Sequence, residues 1–240
     1  MNVLRFDSES SWVQAICSFW RDRLHTKPDL KMCLPSGTTP VEVYAEMSRS
    51  AAAGLVSFEH AIVFALDEFG GLAAGDPGRT SHTLRRQLIQ HVNPRPGSFH
   101  FLDPDLPDSE QVCRDYDVAI GGGFDLVVLG IGLNGHLGMN EPDSPLDSRT
   151  RRVNLHDTTV QSSARYFAHE NLPGWGLTVG LKAILASNEV WLLAKGAGKA
   201  SIIQRTVQGD ITPSNPASLL RRHPNCSLFV DADAGALLNA

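Results

Sequence analysis

Short apolar runs alternate with amphipathic stretches along almost the whole chain, and this alternation leaves few architectures open. Residues 30–34, 61–66, 124–129 and 189–194 have the length and apolarity of buried strands. Trp12, Ile16, Phe19, Trp20 and Leu24 recur at helical spacing, which predicts a helix over 9–25. Pro40 suits the first turn of a helix running to about Ala53, and Leu84, Leu88 and Val92 mark one face of a helix over 80–92. Further strands are expected near 99–102, 151–155, 177–179 and 228–230. Further helices are expected near 107–119, 181–186 and 199–208, with a short one in the tail. Strands alternating with helices predict an α/β chain, with a mostly parallel central sheet and helices on both faces. With no internal repeat or linker, residues 1–240 read as a single domain.

The formal net charge is −5 and no dense run of Lys or Arg occurs, which argues against a nucleic-acid partner. No stretch reaches the ~18 apolar residues of a membrane span. The start of the chain carries Asp7 and Glu9 rather than a charged-then-apolar leader, so a cytoplasmic location is expected. Cys17, Cys33, Cys113 and Cys226 are far apart and form no C-x-x-C pair, so they read as reduced thiols and not as a metal or redox site.

The densest chemistry lies in residues 130–142, Gly-Ile-Gly-Leu-Asn-Gly-His-Leu-Gly-Met-Asn-Glu-Pro, just past a strand end. Four glycines permit a sharp turn, into which the chain places Asn134, His136 and Glu141. An amide, an imidazole and a carboxylate in such proximity can form an acid–base relay. Gly130, Gly132 and Gly135 also fit G-x-G-x-x-G, but that dinucleotide fingerprint needs a helix to open after the glycines. Here Pro142 and Pro145 interrupt, and Leu155 stands near the acidic position.

Three other constellations lie at strand ends. Leu34-Pro35-Ser36-Gly37-Thr38-Thr39-Pro40 offers hydroxyls and backbone N–H groups at a helix start, a favourable place for an anion. Asp67 and Glu68 are paired carboxylates suited to general acid–base work. Arg165 and Lys199 are cations able to clamp a phosphate.

In this order the segments resemble the glucosamine-6-phosphate deaminase family, whose relatives include galactosamine-6-phosphate deaminases and 6-phosphogluconolactonases. The resemblance rests on LPSGTTP (34–40), LDEF (66–69), GIGLNGHLGMNEP (130–142), SRTR (148–151), LTVGLKAIL (177–185) and GAGK (196–199). It implies a modified Rossmann-like fold with no metal or nucleotide cofactor, acting on a small aminosugar phosphate. The implied reaction turns an aminosugar 6-phosphate into a ketose 6-phosphate and ammonia. It further implies that Asp67 moves a proton from carbon-2 to carbon-1. His136, supported by Glu141 and Asn134, would open the sugar ring, while Ser36, Gly37, Thr38, Arg165 and Lys199 would hold the phosphate. The family holds monomers and larger assemblies, so a homo-oligomer stays open.

Two departures bear on these expectations. Glucosamine-type members usually carry aspartate where this chain has Asn134, which brings no charge to the imidazole. The Asn-Gly-His-Leu-Gly form is similar to the galactosamine branch, which keeps that epimer as an alternative, beside a lactonase and a non-catalytic sugar-phosphate sensor. Members activated by N-acetylglucosamine-6-phosphate carry a Ser-Ser pair and Arg-x-Lys, where this chain has Ser144-Pro145 and Arg151-Arg152-Val153. Activation by that effector is therefore not expected.

Overall fold

The computed structural model describes residues 1–167 and 172–239. The first half of the chain runs β1 (Asn2–Phe6), α1 (Glu9–Thr26), β2 (Lys31–Leu34), α2 (Val41–Ala52), β3 (Ile62–Ala65), β4 (Asp67–Phe69), α3 (Thr80–Gln87) and β5 (Phe99–His100). It continues with α4 (Ser109–Ile120), β6 (Leu126–Leu129), β7 (Arg151–Asn154), α5 (Asp157–Ser163), β8 (Trp175–Thr178), α6 (Leu181–Leu185), β9 (Glu189–Ala194), α7 (Ala200–Gln208) and β10 (Cys226–Asp231).

Seven strands form one sheet in the order β1-β10-β9-β6-β2-β3-β5, and every neighbouring pair is parallel. The central strands β6 and β9 are buried along their whole length, which is why they read as unbroken apolar runs. Successive side chains point to opposite faces of the sheet. Cys33, Val127, Leu129, Val190, Leu192 and Leu228 pack with α4, α6 and α7 on one face. Met32, Leu34, Leu126, Val128, Trp191 and Phe229 pack with α1, α2 and α3 on the other. The α/β architecture with helices on both faces thus agrees with the sequence reading.

A second, antiparallel sheet of three strands, β4-β8-β7, lies beside the first and was not foreseen. The chain leaves the large sheet at Leu66 and enters the small one at Asp67, which pairs with Thr178. Its strands are three or four residues long, too short for a clear period in the sequence.

Several other local expectations are corrected. β1, α5 and a 3-10 segment over Pro216–Arg222 were missed. The helix over 80–92 ends at Gln87 and continues as a 3-10 turn over Ile89–His91. The expected tail helix is a run of turns over 232–237. Lys199 closes a 3-10 turn over Ala197–Lys199 instead of lying inside the helix that follows. The four cysteines are buried free thiols. No described helix is long and apolar enough to cross a membrane.

Candidate active site

The C-terminal ends of β2, β3, β6 and β9 open into one cavity of about 320 Å³. Open α/β sheets bind ligands at this end of their strands. Ser36, Gly37, Thr38, Asp67, His136, Arg165 and Lys199 all line it, although 163 residues separate the first from the last. Asn134 and Glu141 do not line it and stand behind His136.

The loop after β2 feeds the N-terminus of α2, and two side-chain donors, one buried and one half-buried, hold its carbonyls. Tyr44 Oη donates to Pro35 O at 2.6 Å and Gln87 Nε2 to Gly37 O at 3.0 Å. Gly37 has φ +114°, a conformation that favours glycine, and a side chain there would meet the Tyr166 hydroxyl. The backbone N–H groups of Ser36, Gly37, Thr38 and Thr39 donate to no described residue. Four free donors at a helix start form an anion cradle. Lys199 Nζ reaches the same cavity and donates to Ile131 O at 2.6 Å. Burial, and then the Arg165 charge, lower its pKa to about 8.

The two carboxylates of the Asp-Glu pair part company. Asp67 borders the cavity, and no described residue hydrogen-bonds its carboxyl. Burial first, and the neighbouring Glu68 second, raise its pKa to about 7, so it sits poised between acid and base at neutral pH. Glu68 is buried and structural: its Oε1 accepts from the N–H groups of Phe69 and Thr80, both at 2.9 Å, and its Oε2 from Ser81 N at 3.0 Å. It therefore caps α3, whose own N-cap residue, Arg79, makes no side-chain cap.

In the glycine-rich turn, no helix opens after Gly135; the chain forms a small bridge between Leu137 and Asn140, which removes the dinucleotide fingerprint. Gly132 lies beneath the His136 ring, where a Cβ would fall 2.2 Å from ring atoms. Asn134 Nδ2 donates to Glu141 Oε2 at 2.9 Å. A carboxylate only accepts, so this bond orients the amide with Oδ1 toward His136 Nδ1, 2.8 Å away. Nδ1 therefore carries the proton and Nε2 the lone pair. Glu141 Oε2 is 3.7 Å from Nδ1, so Asn134 and not the carboxylate is the direct partner. Burial lowers the His136 pKa, Glu141 opposes that shift, and Lys199 and His156 add to it. Burial thus favours the uncharged ring.

Thr159, Tyr166, Gln87 and Lys195 were not singled out in the sequence. Thr159, Tyr166 and Lys195 line the cavity, and Lys195 pairs with Glu9 at 2.5 Å. No spacing signal marks any of them; α5 carries Thr159, the end of α3 carries Gln87, and the segments after α5 and β9 carry Tyr166 and Lys195.

The profile of the family described as glucosamine-6-phosphate isomerases/6-phosphogluconolactonase matches residues 7–228. Glucosamine-6-phosphate deaminase 2 of Bacillus subtilis (strain 168) is 35% identical over 225 residues, covering 92% of this chain and 90% of that protein. The solved structure of a monomeric glucosamine-6-phosphate deaminase superposes with a TM-score of 0.95 at 32% identity, covering 99% of this chain and 100% of that one. The 6-phosphogluconolactonase of Trypanosoma brucei superposes with a TM-score of 0.79 at 18% identity, covering 99% and 98%, a likeness of fold alone.

Proposed function

Because this chain belongs to the family of glucosamine-6-phosphate isomerases and 6-phosphogluconolactonases, we propose that it is an aminosugar-6-phosphate deaminase, converting glucosamine-6-phosphate to fructose-6-phosphate and ammonia. The observation that carries this reading is one cavity holding an anion cradle, a carboxyl that no described residue hydrogen-bonds and an imidazole whose Nδ1 is held by Asn134. An ester hydrolase needs no carboxyl that shuttles a proton between adjacent carbons; an aldose–ketose isomerisation does.

In this reading the phosphate is held by the N–H groups of Ser36, Gly37 and Thr38 and by Arg165 and Lys199. Fixing that end orients the open chain, converting binding energy into proximity. His136 Nε2 takes the proton of the anomeric hydroxyl and passes it to the ring oxygen, which opens the ring. Ionised Asp67 removes the carbon-2 proton while the aldehyde oxygen gains the proton released by the ammonium. Asp67 then returns its proton to carbon-1, leaving an iminium at carbon-2. Water adds there and ammonia leaves, so one water is consumed for each ammonia formed. Asn134 and Glu141 act behind His136, and the chain works as one domain in the cytoplasm.

The test is ammonia release from glucosamine-6-phosphate and galactosamine-6-phosphate side by side, with 6-phosphogluconolactone hydrolysis measured in parallel. Ammonia from glucosamine-6-phosphate at the higher kcat/KM supports the proposal. A preference for the galactosamine epimer moves the substrate, and lactone hydrolysis without ammonia ends the deaminase reading.

A further inference from the structure

His136 Nδ1 has a second partner outside the glycine-rich turn. Thr159 Oγ1, on α5, lies 3.0 Å from it, and Thr159 is 6% exposed with its side chain on the cavity wall. Since Asn134 Oδ1 requires the proton on Nδ1, the threonine oxygen faces a donor and accepts from it, sharing the N–H with the amide. No other described residue is hydrogen-bonded to that hydroxyl, so its own proton has no acceptor among the described residues.

Glu141 holds both partners in place. Its Oε2 accepts from Asn134 Nδ2 at 2.9 Å, and its Oε1 accepts from the backbone N–H of His156 at 3.2 Å. His156 is the N-cap of α5, and Thr159 stands one turn further on. The carboxylate is thus anchored to the ring twice, once through an amide and once through a helix start, without touching it.

We propose that Thr159 is a positioning residue for His136, acting with Asn134 to keep the proton on Nδ1 and Nε2 free as the base. The catalytic consequence rests on the deaminase reading; the effect on the ring does not. The charged and titratable groups facing the ring are Glu141, Lys199 and His156, and all three stay in place in the variants below.

Thr159→Val keeps the shape and removes the hydroxyl; Thr159→Ser keeps the hydroxyl. Nitrogen-15 spectra of the His136 ring, assigned with His136→Gln, read tautomer and titration directly. In Thr159→Val the Nε2–H tautomer should gain population, and the ring's midpoint should fall by roughly half a unit to one unit. kcat should fall roughly tenfold with KM nearly unchanged, and Thr159→Ser should restore all three readouts. Ring signals and midpoint in Thr159→Val identical to those of the unaltered protein would overturn the proposal, whatever happens to kcat. If the protein releases ammonia from no sugar phosphate, the function fails while the ring measurement still decides the role of Thr159.

Discussion

The ammonium of Lys199 donates to the carbonyl oxygen of Ile131 at 2.6 Å, so one side chain ties the turn after β9 to the start of the glycine-rich turn after β6. It serves the anion cradle and steadies the segment that presents His136. Lys199→Gln keeps a donor for Ile131 and loses the charge. KM for the sugar phosphate should rise about tenfold or more, with a smaller change in kcat. Because the Lys199 pKa is lowered to about 8, kcat/KM should also decline as pH rises through that value in the unaltered protein. A KM indifferent to the loss of charge would remove Lys199 from the phosphate site.

Asp67 should set the other limb. With its pKa raised to about 7, kcat/KM should climb as pH rises through 7, where the carboxyl becomes a base. Asp67→Asn should lower kcat by roughly 100-fold to 10,000-fold while leaving fructose-6-phosphate binding intact.

The same shift has a consequence for stability. The folded-state pKa lies above the unfolded one, so ionising Asp67 costs the fold stability as pH rises from about 4 to about 7. Asp67→Asn removes that cost. The variant should be the more stable protein at pH 8 and equal to the parent below pH 4, by at most about 4 kcal/mol. Cavity water reaching the carboxyl reduces the figure. Denaturant melts at the two pH values measure it.

Glu68→Gln separates the roles of the paired carboxylates. Loss of the charged cap on Thr80 and Ser81 should destabilise the protein by about 1–2 kcal/mol in urea unfolding. Removal of the charge beside Asp67 should move the acid limb of kcat/KM to lower pH. A melt that changes while the limb stays at 7 would show that Glu68 does not act on Asp67.

N-acetylglucosamine-6-phosphate should leave the substrate curve unmoved. Arg151 turns inward: its Nη1 donates to Asn140 Oδ1 at 2.8 Å and its Nη2 to Ser144 Oγ at 3.0 Å. Asn140 in turn donates to the carbonyls of Leu137 and Val179, so the guanidinium is part of the packing under the turn. A leftward shift on adding the effector would contradict this.

The large sheet was legible in the sequence because its inner strands are buried on both faces and carry no polar interruption, as in Leu126–Leu129. The site residues were legible because they sit in segments whose composition is unusual for a turn, such as 34–40 and 130–142. The small sheet was not, because Asp67–Phe69 has three residues and a period of two needs more. Glu68 read as half of an acid–base pair because adjacency in sequence hides alternation: in a strand, neighbours face opposite ways, and only Asp67 faces the cavity. Thr159 left no trace because its meaning depends on α5 meeting His136 across 23 positions of chain.

The strand order also schedules the making of the sheet. β6, β2, β3 and β5 pair among themselves, β9 adds to β6, β10 adds to β9, and β1 pairs only with β10. During synthesis, then, residues 2–6 are made before the other strands described above and find their neighbour only once β10 has been made. Until they do, one edge of β10 is an open template for strands of other chains. Newly made protein should be most dependent on chaperones in that interval, between the synthesis of β10 and the docking of β1.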